Sequence, residues 1–135
     1  MLESARVATR LPAQDLERAR RFYAEKLGLE PADERPGGVL YRCAGGEFAL
    51  FDSTGTSPGT FTQVAFEVDD IEASVAALKE RGVLFEEVDV PGLRTVDGIA
   101  EVAGNYPSKA ATGERAAWFR DSEGNLLGIG QAVRA

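Results

Sequence analysis

Apolar and polar residues alternate along Arg6-Val7-Ala8-Thr9-Arg10-Leu11, a period of two that predicts a strand over 6–11. Pro12-Ala13-Gln14 breaks the alternation, and Asp15 stands where it can cap a following helix. Leu16, Ala19, Tyr23 and Leu27 then recur at helical spacing, while Glu17, Arg18, Arg20, Arg21 and Glu25 fall on the water side. Gly28 is the expected helix terminator. Past a loop containing Pro31, Pro36, Gly37 and Gly38, strands are predicted at about 39–43 and 47–52, with Gly45-Gly46 as their turn. Residues 53–60 are Ser, Thr, Gly and Pro only and read as a linker.

The same order then recurs. A strand is predicted over 61–68, and a helix over 70–81 with Ile71, Val75 and Leu78 on one face. Gly82 closes that helix, and a strand over 83–88 follows. The stretch 92–113 has no counterpart earlier in the chain and reads as an excursion with short extended pieces such as Leu93–Val96. Strands at 115–120 and 125–131, joined by Asp121-Ser122-Glu123-Gly124-Asn125, complete the set. The offset between copies is 57 residues from Arg6 to Gln63, 55 from Asp15 to Asp70 and 54 from Gly28 to Gly82, so small insertions separate the copies. Such self-similarity predicts a duplicated βαβββ unit. One module would cover 4–52, the linker 53–60 and the second module 61–133. The fold class is α+β, with curved mixed sheets around a cleft.

Alternation also assigns faces. Val7, Thr9 and Leu11 should lie under the first helix, leaving Arg6, Ala8 and Arg10 on the open face. Val64, Phe66 and Val68 should face the second helix, with Gln63, Ala65 and Glu67 opposite. Leu127, Ile129 and Phe119 belong to the core, and Trp118, Arg120, Leu126, Gly128 and Gly130 to the open side. Leu50, Phe48 and Tyr41 are expected to share that cleft. A face with so many charges beside an indole suits a pocket lining, although arginines answering Glu67 in a filled interior would look the same in sequence.

Composition narrows the field. The 135 residues are enough for one domain, and 44% hydrophobic with 27% charged residues is ordinary for a soluble globular chain. A net charge of −7 argues against nucleic acid and anionic membranes as partners. No apolar run approaches a membrane span, and the first residues show no basic-then-apolar signal. The single Cys43 excludes an internal disulfide and fits a reducing cytoplasm. With no histidine, Ser-His-Asp and Cys-His arrangements are impossible. No Gly-rich phosphate loop is present, and Asp69-Asp70 reads as helix capping.

Trp118-Phe119-Arg120-Asp121-Ser122-Glu123-Gly124-Asn125-Leu126-Leu127 closely resembles the last-hairpin signature of the vicinal oxygen chelate superfamily. This superfamily includes glyoxalase I, bleomycin-resistance proteins and extradiol dioxygenases. The segment from Asp15 to Tyr23, followed by Leu27-Gly28-Leu29, is similar to its first-helix signature. The resemblance implies two modules, pairing across two chains as a homodimer, and a cleft that holds a divalent metal in the enzymes. Carried over, the ligands that open the first strands become Arg6 and Gln63, and the last-strand carboxylates become Gly128 and Leu50. Arginine has no lone pair to give, and glycine and leucine offer no donor. No metal and no other cofactor is therefore expected.

Two functions follow from this reading. The first is a protein that binds or sequesters an aromatic or cationic small molecule, with Arg6, Arg10, Leu50, Gln63, Glu67, Trp118 and Arg120 lining the site. The second is a metal-independent isomerase, lyase or hydrolase using Glu67 or Tyr106 as acid–base, with Arg6, Arg10 or Arg120 clamping an acid-bearing substrate. The excursion 92–113, with Arg94, Asp97, Asn105, Tyr106 and Lys109, is a candidate lid, dimer contact or plain loop.

Overall fold

A computed structural model describes residues 1–104 and 111–134. In the first half, β1 (Thr9–Ala13) leads into α1 (Leu16–Leu27), followed by β2 (Asp33–Arg35), β3 (Gly38–Cys43) and β4 (Gly46–Asp52). In the second, β5 (Thr62–Glu67) leads into α2 (Ile71–Glu80), then β6 (Asp89–Val90), β7 (Leu93–Val96), β8 (Ile99–Ala103), β9 (Gly113–Arg120) and β10 (Leu126–Val133). The strands form two mixed sheets, ordered β1-β4-β3-β2 and β5-β10-β9-β8-β7-β6. In each, the strand before the helix pairs parallel with the last strand of the half, β1 with β4 and β5 with β10. The architecture is α+β. Among the described residues no helix is long and apolar enough to cross a membrane.

Both helices begin as their sequences require. Asp15 accepts from the Arg18 backbone N–H at 3.0 Å, and Asp70 from that of Ala73 at 3.1 Å. Gly28 ends α1 at φ 68°, and Leu29 N–H closes back on the Tyr23 carbonyl at 2.9 Å.

Several elements differ from the expectation. The first strand is Thr9–Ala13 rather than 6–11, because Pro12 occupies the sheet edge, where its missing N–H costs no ladder bond. Val7 is therefore 98% exposed rather than packed under α1, and Thr9 is exposed too. The 83–88 strand reduces to a single bridge, Phe85 to Phe119. Two hairpins appear because β2 and β8, which were not expected, pair with β3 and with β7, the extended piece expected at Leu93–Val96. Pro36-Gly37 joins β2 to β3, and Asp97-Gly98 joins β7 to β8. In the β3–β4 hairpin Cys43 pairs with Gly46, so Ala44 and Gly45 make the turn.

The core runs through both halves. Tyr23 of α1 stacks on Tyr41 at 5.3 Å, Tyr41 on Phe48 at 5.2 Å, and Phe48 meets Phe66 of β5 edge-on at 5.7 Å. Leu11, Leu50, Ile71, Phe119 and Leu127 are fully buried around them. A polar seam joins the β9–β10 turn to the first half. Tyr23 donates to Asp121 at 2.7 Å, Arg18 to Glu123 at 2.8 Å, and the Asn125 amide to the Pro12 carbonyl at 3.0 Å. Asp121, Glu123 and Asn125 of the hairpin signature are thus all buried.

Candidate functional site

On β9, period-two alternation sends Phe119 into the core at 1% exposure and leaves Trp118 on the open face. What the indole rests on is set by its neighbours. Gly128 lies opposite Trp118 in the β9–β10 register, and a Cβ there would sit 3.6 Å from Trp118 Cδ1 and 3.2 Å from Thr62 Cγ2. A glycine floor leaves room for the ring to lie against the strand. Trp118 Nε1 donates to Thr62 Oγ1 at 3.1 Å, which sets the tilt of the ring.

Thr62 reaches this face because β5 carries a bulge. Leu126 pairs with Thr62 and Leu127 with Val64, so Gln63 is the extra residue. The bulge turns the Gln63 side chain toward the β9–β10 turn. There its amide donates to Asn125 Oδ1 at 3.1 Å, and its oxygen accepts from Leu126 N–H at 3.2 Å and from the Ser57 hydroxyl. Alternation alone places Gln63 in the cleft; the bulge gives that position to Thr62.

Trp118, Thr62, Leu126 and Arg120 line an open cavity of about 470 Å³, bordered by the 59–61 segment, Glu86 to Val88 and Leu93. Phe61, 59% exposed, is a second aromatic wall. Arg120 donates to the Gly59 carbonyl at 2.8 Å and pairs with Glu86, and Glu86 N–H bonds the Trp118 carbonyl at 2.8 Å. Glu87 accepts from the Thr95 hydroxyl at 2.8 Å. One guanidinium therefore stands against two carboxylates, so the cavity rim is acidic rather than anion-binding.

The other expected residues are placed elsewhere. Arg10 lies over the Phe51 ring at 5.0 Å, on the open face of the first sheet. Arg6 precedes β1 and joins none of the described cavities. Leu50 corrects the expectation: it is 0% exposed and pairs with Leu11, so it packs under α1, as do Phe48 and Tyr41. The physical reason is register, since a residue opposite Leu11 must share its helix-facing side. Glu67 is exposed and opposes Gly130, lining a gap of about 400 Å³ with Thr9 and Glu47 rather than the Trp118 cavity. Tyr106 lies outside the described residues. Thr62, Phe61 and Glu86 are site residues that the alternation pattern does not mark. The Phe61-Thr62 pair carries a signal, an aromatic entering a strand, but only the bulge shows its direction.

The side chains at the family's metal positions do not fit a divalent cation. Counted back seven residues from each helix cap, Gln63 before Asp70 is matched by Ala8 before Asp15, not by Arg6. Ala8 has no donor, the Gln63 amide is engaged at the turn, Gly128 lies beneath an indole, and its first-half counterpart by register is Ala49, opposite Arg10, rather than the core residue Leu50. Among the described residues no group of three or more His, Cys, Asp or Glu is placed to hold a metal.

A family model described as the Glyoxalase/Bleomycin resistance protein/Dioxygenase superfamily matches residues 5–129. No curated protein matches the chain. Among solved structures, a glyoxalase/bleomycin resistance protein/dioxygenase from Alicyclobacillus acidocaldarius superposes with a TM-score of 0.68 at 17% identity, covering 96% of this chain and 92% of that one. A putative glyoxalase family protein from Bacillus anthracis gives 0.66 at 18%, covering 98% and 99%. TnmS3, an antibiotic binding protein from Streptomyces sp. CB03234, gives 0.61 at 23%, covering 96% and 98%. All three share the fold.

Proposed function

This chain belongs to the glyoxalase/bleomycin resistance protein/dioxygenase superfamily, and from that premise we propose that it binds and sequesters a planar aromatic molecule, neutral or cationic, without a metal. The observation that carries the reading is the cavity in which Trp118 lies over Gly128 and faces an acidic rim. An indole and an exposed phenyl ring offer flat apolar walls for stacking. Glu86 and Glu87 outnumber Arg120, which favours a positive charge on the ligand over a negative one. The likeness to TnmS3, an antibiotic binding protein, is consistent with this. An enzyme gripping an acid through arginines has less support, since Arg120 is engaged by Glu86 and Gly59 while Arg10 lies on the other sheet.

The test is a thermal-shift screen of planar aromatic antibiotics and their uncharged analogues, because a ligand selective for the folded state raises the melting temperature with concentration. Trp118 is the only tryptophan, so a hit should change the protein's emission. Trp118→Leu should weaken that hit about tenfold, the equivalent of a lost stacking contact. A confirmed ligand that leaves the emission unchanged, or binds Trp118→Leu equally well, removes the assignment. Elemental analysis after chelator-free purification should find far less than one transition metal per chain. A near-stoichiometric metal would overturn the metal-free part.

A further inference from the structure

The largest cavity described, about 900 Å³, lies on the helix side of the second sheet, between α2 and the β6–β8 strands. The strands that wall it have no counterpart in the first half, where a short loop joins α1 to β2. The second half inserts β6 and β7 at that point. Val75 and Ile99 form the floor, and Val90 and Val96 of the insertion, 52% and 64% exposed, form the walls. The insertion is tied to the helix at Lys79 and braced within itself at Thr95. Lys79 donates to the Asp97 carbonyl at 3.1 Å, and Thr95 Oγ1 accepts from Val88 N–H at 2.8 Å.

The polar groups of this groove specify its ligand. Arg115 gives Nη2 to Glu72 at 3.0 Å, yet its Nε is buried with no acceptor among the described residues. A buried N–H without a partner is costly, so a ligand that supplies an acceptor gains by it. The charges do not invite an anion. Glu72 and Glu101 flank Arg115, Asp89 opposes Arg94, and Asp97 adjoins Lys79, so carboxylates outnumber cations. Three cations, Lys79, Arg94 and Arg115, are interleaved with those four carboxylates, so the near balance does not favour a cation either. The volume is that of a small-molecule site, and Val75, Val90, Val96 and Ile99 supply its apolar contact surface among the charged side chains.

We propose that this groove is a second binding site, separate from the Trp118 cavity, for an uncharged molecule with an apolar body and a carbonyl-type acceptor. It does not depend on the Trp118 reading, since Val90, Val96 and Arg115 line only the groove. The experiment titrates the full chain calorimetrically with three probes of one body: 4-phenylbutanamide, 4-phenylbutanoate and 4-phenylbutylamine. The amide is expected to saturate one site per chain, at least tenfold tighter than either charged probe. Val96→Arg and, independently, Val90→Arg should abolish binding; both positions are exposed, so melting temperatures should stay close to the parent. Arg115→Met should weaken the amide about tenfold, the value of one hydrogen bond. Trp118→Leu should leave it unchanged. Absence of saturable amide binding, equal affinity for a charged probe, or loss with Trp118→Leu instead of the valine variants would overturn the proposal.

Discussion

The Tyr23 hydroxyl is buried beneath the first sheet and donates to Asp121 across the junction of the two halves. Burial first, and the Asp121 carboxylate second, push its pKa well above the ordinary tyrosine value, so it remains a donor throughout the accessible range. Tyr23→Phe removes that donor from a buried carboxylate. Thermal and urea unfolding should show a loss of about 1–3 kcal/mol. Glu123 makes a pH-dependent contribution at the same junction. Burial alone would raise its pKa, but the Arg18 guanidinium, the Asp15 N–H and the Ser122 hydroxyl outweigh it and hold the carboxyl at about 2. Its folded value lies below the unfolded one of 4.5, so the stabilisation is complete above that and is lost as pH falls toward 2. Melting temperatures measured between about pH 5 and 2.5 should fall more steeply for the parent than for Glu123→Gln. Parallel slopes would assign the acid sensitivity to other groups.

Among the elements, the β7–β8 hairpin is the most sensitive to a single change. Asp97 and Gly98 both have positive φ, 55° and 84°, as a two-residue turn of this hand requires. A Cβ at Gly98 would also stand 3.1 Å from Phe85 Cβ. Gly98→Ala should therefore cost about 1–2 kcal/mol, read from urea midpoints, and should weaken 4-phenylbutanamide binding because the same turn carries Val96. Caps and helix faces are legible in the amino-acid sequence alone: Asp15, Gly28 and Asp70 each occupy the position their chemistry predicts. The Asp97-Gly98 and Pro36-Gly37 dipeptides are equally explicit turn signals. The loop-rich composition around them hides β2 and β8, whereas their partners β3 and β7 lie at the strand expected at about 39–43 and the extended piece expected at Leu93–Val96. The first strand is displaced from its expected span for the opposite reason, since a proline that usually ends a strand is tolerated at an edge.

For the whole molecule, the outermost strands and the exposed apolar side chains matter most. β1 and β5 each leave one edge unpaired, and Val7, Phe61 and Leu84 are exposed at 98%, 59% and 87%. Arg10 and Trp118 stand on different sheets, and a second copy set against these edges would bring the open face of one half toward that of the other. We expect a homodimer on this ground, and light scattering at micromolar concentration should give twice the 14.4 kDa chain mass. A monomer mass would contradict it.

The sequence by itself determined what is local or periodic. The duplication, the helix boundaries, the buried side of β9 and β10, and the indole on the open face all follow from spacing, because period and cap chemistry depend on near neighbours alone. Tertiary structure decided everything that depends on register between distant strands. Pairing with Leu11 turned Leu50 into core, and a one-residue bulge exchanged Gln63 for Thr62 beside Trp118. Glu86 came to Arg120 through the bridge between Phe85 and Phe119, which joins segments far apart along the chain. One residue of slip reverses every face of a strand, and the pairings that set it are made by the folded chain as a whole.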